Sequence, residues 1–143
     1  GGTVTWAPTN ITYGHNNRSA QFRFPQNRYC IENRAADMTM NVYLALAMTL
    51  SAAMDGIKNK TDPGKPTDQD LYQMTEDQFK KLGIKRLPKN LLQAIEALKN
   101  NKLSDEVLGS VMKKSFISYK NDEWERYHQA VTDWEVKEYL RLY

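Results

Sequence analysis

The sequence predicts an α+β chain in which a short antiparallel hairpin of strands precedes a mainly helical region. Two observations predict it. Residues 17–34 read as two short strands around a turn, and beyond Asn41 the apolar residues recur at helical spacing between recognisable caps and breakers. The hairpin is unusual in its charge, because Arg18, Arg23, Arg28 and Arg34 share it with the carboxylate of Glu32. Side chains alternate faces along a strand at roughly 3.3 Å per residue, so Glu32 and Arg34 project from one face about 6.6 Å apart at their backbones, with Arg28 and Cys30 on the same side if the strand begins early enough. Tyr29, Ile31 and Asn33 then face the other way. One face is thus charged and the other partly apolar, as expected of a sheet that lines a wet cavity.

The helical elements follow in order. Residues 41–54 carry an apolar run broken by Thr49 and Ser51, and it is expected to form a buried helix stopped by Gly56 and by the loop Asp62-Pro63-Gly64-Lys65-Pro66. Thr75-Glu76-Asp77-Gln78 fits a capping box, and Gly83 supplies the stop of a helix of about two turns. Leu87-Pro88 introduces another helix with Leu91, Leu92, Ile95 and Leu98 as one apolar stripe. Ser104-Asp105-Glu106 is expected to cap a short turn. Residues 110–130 then form a long helix that places Met112, Phe116, Tyr119 and Tyr127 near one side, with Ile117 and Trp124 beside them, as a core-forming stripe. Thr132-Asp133-Trp134-Glu135 makes a second capping box, and Val136, Tyr139, Leu140 and Tyr143 are available for packing after it.

Composition bounds the function. With 143 residues, 41% hydrophobic and 26% charged, the chain suffices for one moderate core and is not of disordered type. Its net charge of +3 is mild and its lysines are scattered, which argues against nucleic-acid binding. A single cysteine, Cys30, excludes an internal disulfide and a cysteine-based zinc cluster, and a reducing cytoplasm is the expected compartment. His15 and His128 stand too far apart for an HExxH-type pair, so both are read as structural and any metal would rest on carboxylates. The longest apolar run is too short to span a bilayer, and no positively charged leader precedes a hydrophobic stretch, so neither membrane nor secretory signal is expected. The opening Gly1-Gly2, without a methionine, is read as processing or as a piece of something larger.

The arginines suggest the ligand class. Guanidinium groups present planar forks that match phosphate and carboxylate oxygens two at a time, so a cluster of them on a rigid element points to an anion. A solvated sheet edge protected by charge is the bland alternative. No GxxxxGK[ST] loop is present, so nucleotide phosphates, if bound, would fall to these arginines.

A family resemblance sharpens this. Asn17-Arg18-Ser19-Ala20 with Arg23 and Pro25, then Glu32 and Arg34, then Asp37 and Asn41 before Tyr43-Leu44-Ala45-Leu46-Ala47, resembles the C-terminal catalytic domain of glutamine synthetases. Asp55-Gly56-Ile57-Lys58-Asn59-Lys60, Asp62-Pro63-Gly64, Asp70-Leu71-Tyr72 and Val131-Thr132-Asp133-Trp134-Glu135 with Tyr139 match the later blocks. The resemblance runs from about Pro8 to Tyr143 and implies that residues 1–143 are the C-terminal part of such a catalytic domain, the N-terminal domain and upstream catalytic part lying elsewhere. It implies an ATP-dependent ligase that phosphorylates the side-chain carboxylate of glutamate and lets ammonia displace phosphate, with magnesium or manganese as the ion. By matched position, Arg18 would touch the transferring phosphoryl group and glutamate, Arg23 the nucleotide phosphates, Glu32 a divalent metal, and Arg34 the substrate carboxylate. The family forms double-ring dodecamers, but a piece without its N-terminal part is expected to assemble more weakly and to be inactive alone.

Departures from the family pattern bear on substrate. Cys30 stands where a basic residue is common, the turn between Arg23 and Glu32 is short, and His15-Asn16-Asn17-Arg18 is similar to branches that couple glutamate to an alkylamine, a polyamine or ethanolamine. Asn41-Val42-Tyr43 replaces the more frequent asparagine-proline-tyrosine and is expected to alter only the helix start. Tyr72 occupies a position that some bacterial members adenylylate, and a plain loop residue is the preferred reading. A non-catalytic homologue kept for structure or regulation is the remaining alternative; the retained charges argue against it, since buried charge without a partner is destabilising.

Overall fold

The computed structural model describes residues 7–140, and the chain divides between Lys89 and Asn90 into two compact units. The first is built on a four-stranded sheet of order β3-β2-β1-β4, with β1 at Asn10–His15, β2 at Ala20–Phe24, β3 at Glu32–Asn33 and β4 at Lys85–Arg86. The predicted hairpin is β2–β3, antiparallel, with Phe22 opposite Asn33 and Arg23 opposite Glu32.

Two strands were not expected. β1 runs parallel to β2, with Gly14 beside Arg23 and His15 beside Phe24, and antiparallel to β4. Parallel neighbours ordinarily need a long crossover. Here residues 16–19 alone return the chain, helped by Asn16 in the left-handed region at φ 54°, a conformation asparagine tolerates better than most residues. β4 is two exposed charged residues long, too short to leave a periodic trace in the sequence.

Behind the sheet lies a small core of Ala20, Leu71 and Phe79, flanked by Met74 and Ile84. The capping box at Thr75 and the left-handed stop at Gly83, φ 65°, bound α2 (Glu76–Leu82) as the sequence predicts. Arg86 lies over the Phe79 ring with its guanidinium carbon 4.9 Å from the centroid.

The helix α1 (Val42–Lys58) departs from expectation in two ways. Asn41 caps it by accepting from the amides of Tyr43 and Leu44, but it runs through Asp55 and Gly56, since one glycine weakens a helix without ending it. It is also not a buried helix. Tyr43, Leu46, Leu50, Met54 and Ile57 form a stripe at three- and four-residue spacing that faces solvent, because no described residue covers it.

In the second unit Asn90 caps α3 (Leu91–Lys99), whose stripe buries Ile95 while Leu92 stays exposed. α4 (Lys102–Gln129) begins at the cap Asn101 rather than Ser104, and it is broken at Gly109, φ 69°, which separates the predicted short turn from the predicted long helix. The Ser104 hydroxyl serves α3 instead, donating toward the Leu98 and Asn101 carbonyls. Lys113 is buried and donates to the carbonyls of Lys99 and Asn101 and to Asp105, a latch between α3 and α4.

The expected core stripe on α4 is not one among the described residues: Met112, Tyr119 and Tyr127 are exposed, and Phe116, Ile117 and Trp124 are half-buried. Helical spacing aligned them, but a stripe becomes core only when another surface covers it. The second capping box, Thr132 with Glu135, starts α5 (Asp133–Tyr139) as predicted. Tyr143 and the opening Gly1-Gly2 lie outside the described residues.

Candidate functional site

The hairpin register assembles the charge cluster. Because Arg23 stands directly opposite Glu32, their side chains share a face, and Arg23 Nη1 donates to Glu32 Oε2 at 2.9 Å. Arg28 donates to Oε1 of the same carboxylate, and Arg34, two residues past Glu32, brings Nη1 to 3.9 Å from Oε2. The Arg23 and Glu32 side chains are 15% and 22% exposed, so the pair is largely shielded from water. Hydrogen bonds from Arg23 first and then Arg28 hold the Glu32 carboxyl below the usual carboxylate range, and the bond to Glu32 raises Arg28 in turn.

Three guanidinium groups thus converge on one carboxylate. Arg23 Nε is buried and has no partner among the described residues, while its Nη2 donates to the Asn16 side chain. Such a cluster attracts anions. The turn between β2 and β3 also bounds a hollow of about 370 Å³ along residues 24–30, which includes Arg28 and the half-buried Cys30.

Arg18 joins the set through its backbone: its carbonyl accepts from Arg34 Nε at 3.0 Å, and the residue itself is exposed. The structure therefore brings Arg23, Glu32 and Arg34 together by side chain and Arg18 by main chain. Glu32 is of the oxygen-donor type that hard cations take. One carboxylate held by three arginines does not by itself fit a divalent cation, and no group of three or more His, Cys, Asp or Glu is placed for a metal among the described residues.

Several residues around the site escaped sequence reasoning. Asn16 orients Arg23, and Asn17 ties the Arg18 turn to residues 67–69. Asp68 accepts from the His15 amide at 2.6 Å and faces His15 Nδ1 at 3.3 Å; that amide bond is the main reason its carboxyl lies below the ordinary range. The short polar side chains of residues 15–17 were the available signal, since asparagine in a tight return is there to bond backbone. Tyr72 donates its hydroxyl to the Ala7 carbonyl, and burial raises its pKa against the opposing charge of Arg34.

Comparison with known proteins gives the family and the fold. The family pattern described as glutamine synthetase, catalytic domain, fits residues 3–139. Glutamate–methylamine ligase of Methyloversatilis universalis is 42% identical over 140 residues, covering 98% of this chain and 31% of that protein. Glutamine synthetase of Methanococcus maripaludis is 41% identical over 139 residues, covering 95% of this chain and 31% of that protein. The solved structure of apo GmaS without ligand superimposes with a TM-score of 0.77 at 34% identity, over 94% of this chain and 30% of its own. The chain thus spans about a third of the length of the relatives it matches. No helix among the described residues is long and apolar enough to cross a membrane. With the four-residue motif around Arg18, the Arg23–Glu32–Arg34 cluster and this similarity over nearly its whole length, the chain belongs to the glutamine synthetase family as part of the catalytic domain.

Proposed function

We propose that a full-length protein carrying this chain is an ATP-dependent ligase that joins the γ-carboxyl of glutamate to ammonia or a small amine. The single observation that carries the reading is the convergence of Arg23, Arg28 and Arg34 on Glu32, with Arg23 and Glu32 opposed across β2 and β3 and largely shielded from water. In the first step a γ-carboxylate oxygen of glutamate attacks the γ-phosphorus of ATP, the bond to the bridging oxygen breaks, and ADP leaves. The amine nitrogen then attacks the acyl carbon, the carbon–oxygen bond to phosphate breaks, and the nitrogen loses a proton. Both steps move negative charge onto phosphate oxygens, which fixed cations stabilise without reorganising.

The residue roles follow from chemistry and matched position. Arg23, with Nε unpartnered among the described residues, binds nucleotide phosphate; Arg34 binds the substrate carboxylate; and Arg18 binds the transferring phosphoryl group and glutamate. Glu32 holds Arg23, Arg28 and Arg34 in register. Its proposed bond to magnesium or manganese would require ligands beyond the described residues, so no step is assigned to the ion.

The nitrogen donor has two readings. Ammonia is the first, and an alkylamine the second, favoured by Cys30 in place of a basic residue and by 42% identity to a methylamine ligase beside 41% to a glutamine synthetase. The protein is expected in the cytoplasm as a homo-oligomer of dodecameric type, with this chain alone assembling more weakly and lacking activity. The test is formation of γ-glutamyl hydroxamate from glutamate, hydroxylamine and ATP with magnesium, followed by phosphate release across ammonia, methylamine, ethanolamine and a polyamine. Absence of product from every amine would favour the non-catalytic alternative.

A further inference from the structure

The geometry points to Asn17 as a positioning residue: its carboxamide clamps the Arg18 peptide against residues 67–69, so that the Arg18 carbonyl meets Arg34 and the two arginines act as one unit. The inference rests on the ligase reading for its kinetic consequence, not for its geometry. Asn17 Nδ2 donates to the carbonyls of Thr67 at 2.6 Å and Gln69 at 2.9 Å. Its Oδ1 accepts from the Ser19 amide at 2.9 Å and the Ser19 hydroxyl at 2.7 Å. Both donors and both lone pairs are therefore used. Rotating the amide by half a turn would set its oxygen against two carbonyls, so the orientation is determined by chemistry.

The clamp has a rigid backing. Ser19, almost wholly buried, accepts from the Leu71 amide at 3.1 Å, which joins the turn to the core. On the far side the Thr67 amide donates to the Tyr13 carbonyl at 2.8 Å, so residues 67–69 lie hydrogen-bonded between β1 and Asn17. The approach is too close for any side chain at position 14, where an added Cβ would stand 2.3 Å from the Thr67 carbonyl oxygen and 2.8 Å from Asn17 Cβ. Gly14 is thus a second handle on the same clamp. Between Asn17 and Ser19 sits Arg18, and its carbonyl holds Arg34 Nε at 3.0 Å.

The experiment uses the full-length protein with Asn17→Ala, Asn17→Asp, Gly14→Ala, the double variant Asn17→Ala with Gly14→Ala, and the control Thr12→Val. The control removes the 3.0 Å hydroxyl contact between Thr12 and Thr67, loosening the same segment away from Asn17. Crystal structures of the variants give the first readout and KM for glutamate the second. Asn17→Ala and Gly14→Ala are expected to part Arg34 Nε from the Arg18 carbonyl and to raise KM about tenfold, less than additively in the double variant, the size expected for lost hydrogen bonds. Thr12→Val keeps the contact and holds KM within about twofold. Asn17→Asp, nearly isosteric, replaces Asn17→Ala if the latter does not fold. An intact Arg34–Arg18 contact with unchanged KM in the Asn17 variants overturns the proposal, as does an equal KM rise in Thr12→Val. If wild type makes no product yet the contact parts in the variants, the ligase reading falls and the clamp stands.

Discussion

Replacing Leu71 by alanine tests how firmly the small core holds the arginine turn. Leu71 is 2% exposed and packs with Ala20 and Phe79, and its amide donates to the Ser19 hydroxyl. Three carbons are removed, which at about 0.8 kcal/mol for each buried methylene amounts to about 2.4 kcal/mol. A residual cavity adds to that, because the core has few members that could collapse into the space, for a total of about 3–4 kcal/mol. The backbone bond to Ser19 is unaffected by the substitution, so the loss isolates packing. Urea unfolding of the full-length protein, followed by activity and by fluorescence at constant m, measures it. A change below about 1 kcal/mol would show that the cluster does not support this unit, and the packing argument with it would fail.

The acid limb of stability tests the Glu32 cluster. Hydrogen bonds from Arg23 and Arg28 lower the folded carboxyl below its unfolded value near 4.3, so its stabilising effect is present above that pH and is lost as pH falls through the lowered folded value. Glu32→Gln should therefore flatten the acid unfolding limb in that window, and a limb identical to wild type would contradict the assignment. Gly83→Ala places a side chain at φ 65° with no atom within 4 Å, so only backbone strain is introduced, and a loss of about 1 kcal/mol is expected in the same urea assay. Lys113→Met removes three donated bonds and takes this donor from the Lys99 carbonyl, whereas the Asn101 carbonyl keeps the Ser104 hydroxyl and Asp105 stays solvated at 59% exposure. A destabilisation of about 2–3 kcal/mol, with faster amide exchange across residues 99–105, is the expected outcome.

The parts of the site that the sequence announces are those governed by spacing. Glu32 and Arg34 share a face because strand side chains alternate, and the capping boxes at Thr75 and Thr132 formed because each is closed within four residues. The pairing of Arg23 with Glu32 is a register, set by how the hairpin closes, and spacing along one strand does not contain it. Arg28 grips Glu32 from the turn between the strands, a contact that alternation along a strand does not contain. Asn16, Asn17, Gly14 and Asp68 matter through partners fifty or more residues away or through a backbone angle, and neither leaves a periodic mark.

By itself the sequence determined the order of hairpin and helices, the capping boxes at Thr75 and Thr132, the stop at Gly83, the set of arginines, and the family. These follow from local hydrogen bonding and residue chemistry, which act within a turn or two of chain. Tertiary structure alone decided that β1 lies parallel beside β2, that residues 67–69 lock onto the Arg18 turn, and that the apolar stripe of α1 faces solvent among the described residues. The reason is that hydrophobic burial and cross-chain bonds depend on which distant surface arrives, and no periodicity within an element specifies its neighbour.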